Sequence, residues 1–100
     1  MLNPNNTKGS RERKARVLNS LIDQWYQLTD RRWRVESNLN PIYTDEALFI
    51  WGIEREEVTQ KELDDLNLQI KVNDSETNKV FEELQKMYKE LAEDKETPSV

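Results

Sequence analysis

Val58-Thr59-Gln60-Lys61-Glu62-Leu63 is the stretch that decides the fold class. Thr59 stands as the N-cap of a helix starting at Gln60, and Glu62 at N3 completes a capping box; Val58 at N′ and Leu63 at N4 supply the hydrophobic staple. Downstream, Leu63, Leu66 and Ile70 recur at helical steps, whereas Leu68, Ile70 and Val72 alternate as a strand would. The preferred reading is a helix ending near Val72. Asn73-Asp74-Ser75 then predicts a turn, with Asp74 or Ser75 capping a last helix whose stripe is Val80, Phe81, Leu84, Met87, Tyr88 and Leu91. Two antiparallel helices on a short turn make a C-terminal helical hairpin. Phe81, Leu84, Tyr88 and Leu91 alone carry the 3-4-3 spacing of a short coiled-coil seam.

Upstream of the box, Ala47-Leu48-Phe49-Ile50-Trp51 is five apolar residues in a row, which fits a buried strand as well as a helix. The flanks favour a short helix. Thr44 can cap it, Asp45 and Glu46 fall in a first turn where the helix dipole favours negative charge, and Gly52 is placed at C′. Asn38, Asn40 and Pro41 end whatever precedes, because the residue before Pro41 is pushed out of helical dihedrals. Before that break, Leu18, Leu21, Ile22, Trp25 and Leu28 recur at three- and four-residue steps, with Trp33 later on the same helix. With Ser10 as N-cap, a first helix from Arg11 to Glu36 would be roughly 39 Å long at 1.5 Å per residue, longer than average and in need of something packed on it.

The expectation is therefore an all-α protein of three to four helices: a long amphipathic first helix, a short apolar second one and the C-terminal hairpin. Residues 1–9 read as a flexible lead, 10–93 as a single helical domain, and 94–100 as a frayed tail. Asn5-Asn6-Thr7 and Asn73-Asp74-Ser75 match the glycosylation acceptor pattern, and without a secretory leader they are read as turn and cap chemistry.

Composition narrows the function. In 100 residues, 35% are hydrophobic and 35% charged, so the core is thin and a partner covering apolar surface fits. Cys and His are absent, which removes disulfides, thiolate chemistry, the soft metal ligands and the usual proton shuttle near neutral pH. The acidic pairs Asp45-Glu46, Glu56-Glu57, Asp64-Asp65 and Glu82-Glu83 are neighbours in sequence and diverge by about 100° on a helix, so they read as solvated faces rather than ion or acid/base sites. Two glycines leave no phosphate-binding loop. No enzyme activity, cofactor, metal or small-molecule substrate is expected. The first ten residues are polar and the longest apolar run is far too short to span a bilayer, so the expectation is a cytoplasmic protein without membrane contact, a virion component being compatible with the same features.

Charge is divided by position. Residues 1–40 hold eight Lys and Arg against four Asp and Glu, and residues 41–100 hold seven against sixteen, in a chain of net charge −5. Two kinds of partner follow. The leading reading is a protein–protein interaction or assembly protein, an adaptor or small subunit, with a protein partner or a second copy engaged through Trp25, Leu28, Trp51, Phe81, Leu84, Tyr88 and Leu91. The alternative is a small nucleic-acid-binding regulator or nucleoprotein component, gripping phosphates through Lys8, Arg11, Arg13, Lys14 and Arg16, with Arg31, Arg32, Trp33 and Arg34 as a second cluster in which an aromatic can stack on a base. Cations at a helix N-terminus oppose the macrodipole by roughly 0.3–1 kcal/mol each, which suits a purpose other than helix stability. The competing account is that the arginines pair with acids of the later helices. The three tryptophans, with Phe49, Phe81 and Tyr88, are the expected core aromatics; Trp51 is the one to be exposed if any is, because Leu48 and Phe49 suffice to fill the inside of a short helix.

Overall fold

The computed structural model describes residues 2–96. Every element among them is helical: α1 (Lys8–Leu39), α2 (Asp45–Ile50) and α3 (Gln60–Glu96). None of these helices is long and apolar enough to cross a membrane. Of the expected 94–100 tail, residues 97–100 lie outside the described residues and 94–96 continue α3.

Both ends of α1 differ from expectation. Thr7, not Ser10, is the cap: its hydroxyl accepts the Ser10 N–H at 3.0 Å, and its carbonyl takes the Arg11 N–H at 3.0 Å. At the far end α1 runs three residues past Glu36, because Ser37 and Asn38 turn their polar groups back onto the helix, donating to the carbonyls of Trp33 and Arg34 at 2.7 and 3.0 Å. It stops where the Asn40-Pro41 pair requires.

The expected C-terminal hairpin is replaced by one unbroken helix. Asn73-Asp74-Ser75 contains neither Gly nor Pro, so holding it helical costs only a few tenths of a kcal/mol per residue relative to Ala. Apolar burial on either side overrides that preference: Leu66, Ile70 and Leu84 are buried on the same helix, and the side-chain amide of the buried Asn73 donates to Gln24 Oε1 at 3.3 Å, which offsets part of the cost of its burial. Once Asn73 and Thr77 are counted as inward positions, the covered stripe of α3 reads Leu66, Ile70, Asn73, Thr77, Val80, Leu84, Met87 and Leu91, alternating steps of four and three residues throughout. The expected seam is corrected with it. Val80 and Met87 hold the inner places, while Phe81 and Tyr88 lie beside the stripe and are exposed.

The chain divides into two compact units, one built from residues of 1–23 and 74–100, the other from Gln24–Asn73. In the first, the opening half of α1 runs antiparallel to the closing half of α3: Asn6 Nδ2 donates to the Met87 carbonyl at 2.9 Å and Lys14 Nζ to Glu83 Oε2 at 2.5 Å. Leu21 and Leu84 form its buried apolar centre. The Asn3 N–H also donates to Glu90, so residues of the expected lead bond to α3. In the second unit, the closing half of α1, α2 and the opening half of α3 bury Val35, Leu48, Ile53, Leu66 and Ile70. The Thr59 cap forms as read, with the Glu62 N–H donating to Thr59 Oγ1 at 3.2 Å. The return half of the capping box does not, because the Glu62 carboxylate is taken by Arg31.

Candidate functional site

The second unit carries an apolar tip built by the caps of α2. Thr44 accepts the Ala47 N–H at 3.2 Å and starts the helix. Its end is a Schellman motif: the Gly52 N–H donates to the Phe49 carbonyl at 3.0 Å and the Ile53 N–H to that of Leu48 at 2.8 Å. Gly52 supplies the left-handed conformation this needs, with φ of 72°. The motif sends Leu48 and Ile53 inward, both buried, and that decides the fate of their neighbours. Phe49 is 83% exposed, Ile50 77% and Ile42 80%.

Phe49, expected in the core, is thus on the outside, and so in part are all three tryptophans. Six helical residues offer one inward side, and Leu48 occupies it. The feature that could have revealed this is the Leu48/Ile53 pair at the two positions where the helix-ending motif places its hydrophobic contact.

Beneath the tip the support is polar and directional. Arg55 donates from Nε to Asp45 Oδ1 at 2.7 Å and from Nη2 to the Tyr43 carbonyl at 2.9 Å. Asn38 bonds the following segment with both ends of its amide, donating to the Glu54 carbonyl at 3.1 Å and accepting the Glu56 N–H at 3.0 Å. The Trp51 and Tyr43 rings meet edge to face with centroids 4.9 Å apart. Arg31 donates to both Glu56 and Glu62, which raises the pKa of its guanidinium still further, Glu56 contributing most; in return Glu56 is held below the usual carboxylate value by Arg31. A cleft of about 400 Å³ lies beside Phe49 and Gly52, walled by Asp45, Glu54 and Arg55.

The first unit carries an apolar recess. Leu18 from α1 and Phe81, Leu84 and Tyr88 from α3 line an open groove of about 710 Å³, with Lys86, Lys89 and Glu82 also lining it. Leu84 is its buried floor, and Phe81 and Tyr88, each half exposed, are its walls. Of the other expected apolar contacts, Leu28 and Leu91 are half-buried, while Trp25 and Trp51 are exposed.

Several of the basic residues are engaged within the chain. Lys14 is paired with Glu83, whose pKa it lowers; Arg11 donates to the Asn6 carbonyl and side-chain oxygen at 3.2 and 2.6 Å; Arg34 pairs with Asp30 at 3.0 Å; and Lys8 approaches Glu12 at 4.0 Å. Arg13, Arg16 and Arg32 make no ion pair among the described residues, and Trp33 is 46% exposed. No group of three or more acidic residues able to hold a metal ion occurs among the described residues. Comparison with known proteins brings no relative: no family model, no curated protein and no solved structure matches this chain.

Proposed function

We propose that this chain is a non-enzymatic interaction protein, an adaptor or assembly subunit, whose main contact element is the apolar tip at Ile42, Phe49 and Ile50. The observation that carries the reading is the exposure of these three large side chains on a segment fixed from below by Arg55, Asn38 and the Tyr43/Trp51 ring pair. Large apolar side chains left in solvent around one short capped helix mark a contact site. A rigid support removes the ordering cost that a mobile loop would pay on binding, which favours an anchor over a loose loop. The nucleic-acid alternative draws less support, because Arg11, Lys14 and Arg31 are engaged within the chain and the whole carries a net charge of −5.

The test is photo-crosslinking from position 49 in the protein's own cells, with an identically placed probe at the exposed polar Asn67 as control. The expected result is one dominant protein adduct from position 49 that Ile50→Asp abolishes. Adducts indistinguishable from those at position 67 would overturn the reading, and a nucleic-acid adduct would favour the alternative.

A further inference from the structure

We propose that the partner is a second copy of this chain, the α2 tip of one molecule seating in the groove formed by Leu18, Phe81, Leu84 and Tyr88 of another. This inference rests on the α2 tip being a contact element. Its own support is that one chain holds both halves of a complementary pair: an apolar element with Phe49 and Ile50 largely in solvent, and an open apolar recess of about 710 Å³. A recess of that volume is of the size that takes up large side chains.

Charge selects this pairing over the symmetric ones. Around the tip, Asp45 is answered by Arg55, while Glu46 and Glu54 have no ion pair among the described residues. The groove has two lysines, Lys86 and Lys89, against the one carboxylate of Glu82. Tip against tip would bring Glu46 and Glu54 of both copies together, and groove against groove would bring the lysines together. Like charges facing each other across an interface disfavour both arrangements, whereas tip in groove sets opposite signs face to face. Because donor and acceptor are different surfaces, one intact tip on one copy and one intact groove on another suffice for a junction.

The experiment is sedimentation velocity over a range of concentrations, in low and high salt, on the full chain, on Phe49→Asp, on Phe81→Asp and on Tyr88→Asp, with circular dichroism to show that each variant is helical. Tyr88→Asp serves as a second groove variant in case Phe81→Asp perturbs folding. The wild type is expected to associate increasingly with concentration, and each folded variant alone to weaken that association by about thirtyfold or more, the scale of losing a central interface anchor. The decisive arm is mixing. Phe49→Asp keeps an intact groove and a groove variant keeps an intact tip, so an equimolar mixture is expected to restore one junction and yield a heterodimer that grows no further. A wild type that stays monomeric at every concentration overturns the inference, and so does loss of association in Phe49→Asp with no rescue on mixing. In the monomer case a single non-self adduct from position 49 would leave the interaction reading standing, so the two failures are distinguishable.

Discussion

Arg31 clasps Glu56 by two parallel bonds, Nη1 and Nη2 reaching the two carboxylate oxygens at 2.9 and 2.7 Å. The same guanidinium reaches Glu62 Oε1 from Nε and Nη2 at 3.0 and 2.8 Å, so one side chain ties the segment after α2 and the first turn of α3 to α1. The bonds from Arg31 lower the Glu56 pKa below its ordinary 4.5, and the bond from Lys14 does the same for Glu83. A carboxyl whose folded pKa is depressed contributes stability that is present above the unfolded pKa and lost as pH falls through the folded one. The melting temperature of the wild type is therefore expected to fall as the pH is lowered past the ordinary carboxylate value of 4.5, less steeply in Glu56→Gln, with the difference shrinking in high salt because both partners are partly solvated. Parallel pH profiles for the two proteins would remove Glu56 from the account.

Leu48 and Phe49 are adjacent, both large and apolar, and opposite in consequence. Leu48 is 1% exposed, and truncating it leaves a cavity beneath α2. Leu48→Ala is expected to cost about 2–5 kcal/mol. Phe49→Ala removes more atoms from a position already in solvent, and its effect is expected within about 0.5 kcal/mol. Urea denaturation at low protein concentration, where association does not contribute, checks both values. Equal costs would mean that the two side chains share the burial.

The same neighbours show what a sequence can and cannot disclose. Caps are local chemistry, so Thr44, Gly52 and Thr59 are legible as helix ends, and with them the start of α3, whereas the return bond of the Thr59 capping box and the Thr7 cap of α1 are not. Facing is not local. Five apolar residues in a row do not say which one turns inward, and a reading from the letters alone places Phe49 in the core for that reason. Asn73-Asp74-Ser75 points in the opposite direction: its turn preference is a few tenths of a kcal/mol per residue, and that is outweighed by the buried Leu66, Ile70 and Leu84 on the same helix, with Asn73 hydrogen-bonded to Gln24, 49 residues away in the chain. A stripe read only from apolar letters skips Asn73 and Thr77, and the seam then drifts to Phe81 and Tyr88. Pairing of the arginines with later acids is a competing account from the sequence, and within the 31–34 cluster Arg31 follows it while Arg34 pairs with Asp30 on its own helix. That Arg31 would choose Glu56 and Glu62 depends on the path of residues 40–59, which no spacing rule specifies.

The two glycines of this chain should respond oppositely to the same substitution. Gly52 has φ of 72°, where a Cβ is strained even in open space, and Gly52→Ala is expected to destabilise by about 1–2 kcal/mol. Gly9 lies in the first turn of α1 with nothing within 4 Å of an added Cβ, so Gly9→Ala is expected to stabilise by up to about 1 kcal/mol. The midpoints of chemical denaturation report both signs, and stabilisation by Gly52→Ala would contradict the helix-ending motif at α2.

Asn6 is the anchor of the opening residues, and its removal should be felt locally. It is buried, its Nδ2 donates to the Met87 carbonyl, and its Oδ1 receives Arg11 Nη1 at 2.6 Å. Asn6→Ala deletes both side-chain bonds and leaves Arg11 only the backbone carbonyl at 3.2 Å. Stranding or losing part-buried partners of this kind costs about 1–3 kcal/mol, and here the cost falls on the segment that closes onto α3. Amide hydrogen exchange followed by mass spectrometry is expected to show faster exchange across residues 3–11 in Asn6→Ala, with the amides around Val35, Leu66 and Ile70 unchanged because they belong to the other compact unit. Uniform acceleration through Val35, Leu66 and Ile70 would mean that the opening residues hold the entire fold. No change at residues 3–11 would mean that Asn6 anchors nothing.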